Sequence, residues 1–298
     1  MPELPDVELY VHKLGELIVG EPLLAVKLMT PFVLRSVEPA LETLVGRKVT
    51  GVRRLGKRIV FEFSAGGPFL VVHLMIAGRF QWRQPDAKPF GKISLALFHF
   101  ANGTLVLTEA SKKRRASIHV VANKAGLKVH DPGGIEPLIC TGPEFVTVLR
   151  TENRTLKRML TNPKKFSGIG NAFSDEILFV AQLSPVRLTS SLSDAEAIRL
   201  YEATVSTLTS WTDRLKAEFK GRFPGAGDVT AFRPEYAVHG KFGQSCPVCG
   251  HKVQRIAYAE NETNYCAKCQ NEGRMLADRS LSRLLKSDWP KTIEEMEG

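Results

Sequence analysis

The sequence has no apolar run long enough to cross a membrane. Its longest stretches, such as Phe69 to Ile76, fall far short of the roughly 18 to 20 residues a spanning helix requires. The opening Met1-Pro2-Glu3-Leu4-Pro5-Asp6 lacks the basic and apolar regions of a secretory signal, so a cytosolic location is expected. Cysteine is scarce: Cys140 stands alone and the other four cluster late, which does not match the disulfide framework of a small secreted domain. Long polar tracts and internal repeats are also missing. With 43% hydrophobic and 24% charged residues the composition is that of a globular chain, not a disordered or fibrous one. Negative charge is in the minority, 31 acidic against 41 basic residues. The resulting net charge of +10 and the clusters Arg53-Arg54, Lys57-Arg58, Lys112-Lys113-Arg114-Arg115, Lys157-Arg158 and Lys164-Lys165 favour a polyanionic partner, most commonly nucleic acid.

At 298 residues two or three modules are expected. Val7, Tyr10, Val11, Leu14 and Leu17 recur at helical spacing, which predicts a leading helix just after Pro5. From Leu24 to Val121 the texture changes to short β-branched and aromatic runs separated by Gly, Pro and Asn, with Asn102-Gly103 a strong hairpin signal. Strands are predicted at 48–55, 58–63, 69–74, 78–82, 93–100, 104–108 and 117–121, as a β-sandwich or barrel. Asp131-Pro132-Gly133-Gly134 closes this region, and helices are predicted at 143–151, 154–160, 171–182 and 193–218. The Gly- and Pro-rich stretch 221–234 reads as a mobile loop before the cysteine module. The expected architecture is α+β and multidomain, divided at 1–131, 132–235 and 236–298.

Cys246 and Cys249, then Cys266 and Cys269, form two Cys-x-x-Cys pairs separated by sixteen residues (250–265), the spacing at which four thiolates converge on one zinc ion. Four sulfur ligands leave no open coordination position, so the metal is expected to be structural. Removal of Met1 would expose the secondary amine of Pro2, with an ordinary pKa near 8, a competent nucleophile towards an aldehyde-level carbon. Glu3 beside it has the chemistry of a general acid. In isolation both are ordinary helix-start residues.

Taken together, Pro2-Glu3-Leu4-Pro5-Asp6-Val7-Glu8, Gly56-Lys57-Arg58 opening a strand, Gly168-Ile169-Gly170-Asn171 before a helix, and the late four-cysteine finger closely resemble the formamidopyrimidine-DNA glycosylase / endonuclease VIII family. The resemblance spans nearly the whole chain in motif order. It implies an N-terminal β-sandwich, a helix-two-turns-helix domain and a four-cysteine zinc finger, in a monomer that excises oxidised bases from DNA and then cleaves the strand as an AP lyase. It further implies Pro2 as the Schiff-base nucleophile, Glu3 as general acid, and Lys57 as a phosphate-binding lysine that assists elimination. Asn171 and Lys157 would bind phosphate, and Glu176 would orient the N-terminus. Glycines ahead of a helix let backbone amides approach an anion closely, the physical reason for the Asn171 motif.

Several positions depart from the family pattern. Asp6 stands where a glutamate is usual, Lys92 where a phosphate-contacting histidine is usual, and Ile76 where a void-filling methionine is usual, after His73, also expected at the DNA. The loop Ser111 to Ser117 offers Arg114 and Arg115 but no aromatic wedge, which should weaken probing of stacked duplex. Asn261 replaces the finger arginine five residues before Cys266, and asparagine supplies neither fixed charge nor a bidentate fork. The expectation is β-elimination without efficient δ-elimination. A catalytically weak relative that binds damaged or structured DNA is the alternative, and a zinc-ribbon regulator would leave the N-terminal motif unexplained.

Overall fold

The computed structural model describes residues 1–258, 261–276 and 290–297. They form two compact units, one of residues 1–132 and 211–230, the other of 133–210 and 231–298.

In the first unit, helix α1 (Leu4–Ile18) turns Val7, Tyr10, Leu14 and Ile18 into the core, as the spacing predicts. Strands β1 (Ala25–Leu28), β2 (Val49–Leu55), β3 (Arg58–Phe63), β4 (Phe69–His73), β5 (Gly78–Arg83), β6 (Ser94–Phe100), β7 (Gly103–Glu109) and β8 (Ser117–Val121) follow. They make two four-stranded antiparallel sheets in the orders β1-β6-β7-β5 and β2-β3-β4-β8. Alternate residues of both sheets share one core, including Ile59, Phe61, Leu70, Val72 and Ile118 from one and Phe80, Phe98, Leu105 and Leu107 from the other. The sandwich is therefore as expected. Strand β1 has no strong sequence signal: its four residues, Ala-Val-Lys-Leu, are set by pairing with β6.

The register gathers several loops at one end of the sandwich. Leu55 pairs with Arg58, Arg58 with His73, His73 with Ser117, Gly78 with Glu109, Ser94 with Thr108, and Leu28 with Ala96. The 56–57 turn and the loops 29–33, 74–77, 89–93 and 110–116 accordingly leave the sheets at that same end.

Residues 211–230 were expected to continue a helical domain and then form a mobile loop. Instead Leu215 and Phe219 pack on Leu9, while Phe223 and Val229 join the sandwich core. Asp228 closes the glycine-rich bend by pairing with Arg222 at 2.5 Å and accepting from the Gly225 amide at 2.8 Å. Composition reports the bend but not the apolar anchors that fasten it.

The second unit contains α2 (Gly142–Leu149), α3 (Leu156–Leu160), α4 (Asn171–Val180) and the first part of α5 (Asp194–Glu218). Thr141 and Glu144 form a reciprocal capping box on α2. The hairpin of β9 (Gln254–Tyr258) and β10 (Asn261–Tyr265) and helix α6 (Ala267–Asn271) carry the cysteine module. No helix among the described residues is long and apolar enough to cross a membrane.

Candidate active site and nucleic-acid interface

Within the first unit the functional side chains are placed by the start of α1 and by the loop-bearing end of the sandwich. Pro2 is buried, and Glu3 is the N-cap of α1. The Glu3 carboxylate accepts from the Asp6 amide, and the Asp6 carboxylate accepts from the Glu3 amide at 2.9 Å. Glutamate is not among the favoured N-cap residues, and here it is held with its charge at the positive end of the helix. Lys57 sits in a two-residue hairpin whose first residue, Gly56, has φ +61°. That conformation is why glycine precedes the lysine.

The amino group at the chain start is the electrostatic centre of this cluster. Burial pushes the Met1 amine pKa down. Glu3 and Asp6 attract the ammonium and oppose that shift, while Arg79 and Lys57 add to it. Burial also lowers the pKa of Lys57, against the pull of Glu3 and Asp6. The environment thus favours an uncharged amine next to two carboxylates. Arg79 was not foreseen. Its guanidinium donates to the carbonyls of Ile76 at 3.2 Å and Gly78 at 2.7 Å, and it opens β5 where sequence shows only a strand arginine.

His73 ends β4, and its imidazole pKa is held down to about 4, first by burial, then by Arg58, Lys57 and His119. It faces any ligand as a neutral ring. Ile76 is 52% exposed in a loop closed by the Gly78 amide donating to Leu74. The Arg114 guanidinium donates to the Lys92 carbonyl, which joins two of the expected DNA contacts. Arg115 is exposed, and its amide, with that of Ala116, is held by the buried Glu109 carboxylate at 2.9 and 3.0 Å.

The second unit holds a buried polar network that sequence reasoning saw only in part. Asp175, fully buried on α4, pairs with Lys157 through one oxygen. Its other oxygen lies 2.7 Å from Nδ1 of His239 and accepts from the Asn264 amide at 3.1 Å. Lys157 also donates to the Asn171 carbonyl at 3.0 Å, so its ammonium is an internal tie. Asn171 opens α4, and its side-chain amide donates to the Glu262 carbonyl of β10 at 2.9 Å. Both groups link α4 to the finger hairpin. Glu176 accepts from the amides of Ala237, Val238 and His239 at 2.8, 2.9 and 2.9 Å. Burial raises its pKa and those three amides oppose the rise. The carboxylate therefore shapes the 237–239 turn. Asp175, His239 and Asn264 could have been suspected only from an acid placed beside Glu176 on an otherwise apolar helix. Asn261 opens β10 opposite Tyr258, at the tip of the finger hairpin.

The four finger sulfurs lie within 4.8 Å of one another, with Cys246 to Cys269 at 3.9 Å and Cys249 to Cys266 at 3.4 Å. A tetrahedral zinc with bonds of about 2.3 Å puts its sulfurs about 3.8 Å apart, so the set fits one structural zinc. Cys140 lies half-buried outside this cluster, its thiol pKa raised by burial.

Three family models match in order: "Formamidopyrimidine-DNA glycosylase N-terminal domain" over residues 1–116, "Formamidopyrimidine-DNA glycosylase H2TH domain" over 134–216, and "Zinc finger found in FPG and IleRS" over 243–271. The fold and site are those of a zinc-finger DNA glycosylase of base excision repair. The formamidopyrimidine-DNA glycosylase of Listeria monocytogenes serotype 4b is 30% identical over 91% of this chain and all of its own length. That of Brevibacillus brevis is 30% identical over 91% and 99%. Among solved structures, the Lactococcus lactis enzyme in complex with N7-benzyl-Fapy-dG DNA superimposes with a TM-score of 0.78 at 26% identity, covering 91% of this chain and 100% of the other. A complex of the same enzyme with abasic-site DNA gives 0.78 over 90% and 99%. The chain belongs to the formamidopyrimidine-DNA glycosylase family.

Proposed function

We propose that this protein is a bifunctional DNA glycosylase and AP lyase that removes oxidised bases through an N-terminal proline Schiff base. The observation that carries the reading is the chain-start amine, made less basic by burial and flanked by Glu3, Asp6, Lys57 and Arg79. Once Met1 is removed, the Pro2 nitrogen occupies the start of this cluster. After the damaged nucleotide flips from the stack, at a cost of a few kcal/mol, Pro2 nitrogen attacks C1′ and the base departs with the electrons of its glycosidic bond. Glu3 delivers a proton to the sugar ring oxygen as the ring opens, leaving an iminium. The iminium acidifies the C2′ protons. Loss of one breaks the C3′–O bond, so β-elimination follows on the same covalent intermediate.

Lys57, His73, Lys92, Arg114 and Arg115 serve phosphates around the lesion, and Ile76 fills space left by the flipped base. In the second unit, Lys157, Asn171 and Glu176 act by fixing the start of α4 against the finger and the 237–239 turn, with backbone amides and the tip at Asn261 meeting phosphate. The enzyme acts as a monomer in the cytosol, on the nucleoid when bound.

Borohydride trapping on an oligonucleotide with an abasic site tests the reading, with mass measurement to verify loss of Met1. A covalent adduct is expected from the mature protein and none from Pro2→Gly. No adduct from mature wild-type protein, with binding retained, would replace this reading by that of a weakly catalytic damage-binding relative.

A further inference from the structure

We propose that Phe32 is a stacking platform for a nucleobase unstacked from the duplex, with Arg114, Lys92 and Arg35 holding the adjoining phosphates. This rests on the DNA glycosylase reading above and adds to it a contact in the 29–33 loop.

Phe32 is 76% exposed on a single 3-10 turn, Pro31–Val33, directly after β1. An exposed phenylalanine alone means little. This one is held rigidly. Its neighbour Val33 is 2% exposed in the sandwich core. Immediately downstream, the Arg35 amide donates to Ile118 at 2.8 Å, and the Ser36 hydroxyl accepts from Val120 at 2.8 Å. The turn is thereby stitched to β8, the strand into which the 111–116 loop runs. A rigid aromatic loses little conformational entropy when it takes a ligand.

Its surroundings select the ligand. Phe32, Thr30, Val33, Leu95, Arg114 and Ala116 line a cavity of about 260 Å³. Arg114 also lines a neighbouring cavity of about 530 Å³ with Lys92, Met29 and Pro89. Apolar and cationic groups thus alternate over one continuous surface, and Lys92, Arg35 and Arg114 are all exposed. A flat π face flanked by guanidinium and ammonium groups matches a nucleotide, which carries a flat base and an anion on one unit. The strand register places this surface at the end of the sandwich that also carries Lys57, His73 and Ile76. The 111–117 loop brings cations to that end but no aromatic of its own, and Ala116 is buried where it faces Phe32 across the cavity. The stacking surface comes from the preceding loop instead.

The test uses full-length mature protein and duplexes with a tetrahydrofuran abasic analogue and 2-aminopurine opposite the analogue or as either neighbour. Wild type is expected to change 2-aminopurine fluorescence at one of these positions. Phe32→Ala should abolish that change and weaken binding about fivefold to a hundredfold, the loss expected for one base stacked on an aromatic. Its thermal midpoint should stay unaltered because the ring is exposed. Phe32→Trp should restore binding, with indole quenching on addition of DNA, whereas Phe32→Leu should not. Unchanged affinity and fluorescence in Phe32→Ala, with wild type still forming the borohydride adduct, would overturn the platform and leave the glycosylase reading standing. Full binding by Phe32→Leu would also overturn it, since bulk without a π face would then suffice. Failure of wild type to bind or trap DNA would remove the glycosylase reading and the platform together.

Discussion

Replacing Asp175 by Asn tests whether the finger hairpin is held to α4 by charge. The native carboxylate is fully buried and serves Lys157, His239 and the Asn264 amide. Asparagine keeps one acceptor oxygen but leaves the Lys157 ammonium, only 12% exposed, without a counter-charge. Removing one partner of such a buried pair costs about 3–5 kcal/mol, and the retained oxygen places this variant near ~3. With a urea dependence of about 2 kcal/mol per molar, the midpoint of the second unit should fall by roughly 1.5 M. Zinc release to a chromogenic chelator along a urea titration reads this unit, because all four ligands lie in it. The double variant Asp175→Leu/Lys157→Met removes both charges and should recover more than half of the loss. A midpoint shift under about 0.3 M in Asp175→Asn, or no recovery in the double variant, would refute the electrostatic account.

Cys266→Ser should reduce bound zinc from one equivalent to near none and make the hairpin protease-sensitive, as metal analysis and limited proteolysis would show, since the finger's fold is coupled to its metal. Cleavage products should carry mainly 3′ unsaturated aldehyde ends, because Asn261 offers no fixed charge at the hairpin tip; a dominant 3′ phosphate on a sequencing gel would contradict this. Stability should decline as pH falls from about 6.5 to 4: His73 and His119 stay neutral in the fold down to about 4, while the unfolded chain binds their protons near 6.5. The His73 contribution is on the order of 2 kcal/mol after allowing for its partial exposure, and the slope of unfolding free energy against pH should flatten in a His73→Gln/His119→Gln variant. Glu109→Ala orphans the Arg115 and Ala116 amides, so trypsin should cut faster in the 112–115 cluster and the melting midpoint should drop, consistent with a loss of about 1–3 kcal/mol.

Local signals in the chain itself determined a good deal of this protein. Helical spacing marked α1, alternation marked seven of the eight sandwich strands, and the paired cysteines marked the zinc site, because each depends on residues close in sequence or on a fixed covalent reach. Motif order also pointed to Pro2, Glu3 and Lys57 before any geometry was available. The tertiary structure decided what depends on groups remote along the chain. It brought Arg79 to the chain-start amine, fastened 215–229 to the sandwich through Leu9 and the core, and turned Lys157 and Asn171 inward towards Asp175 and Glu262. A lysine bound to a carboxylate and a lysine facing solvent look the same in sequence, since desolvation and pairing are set by what folding places around them.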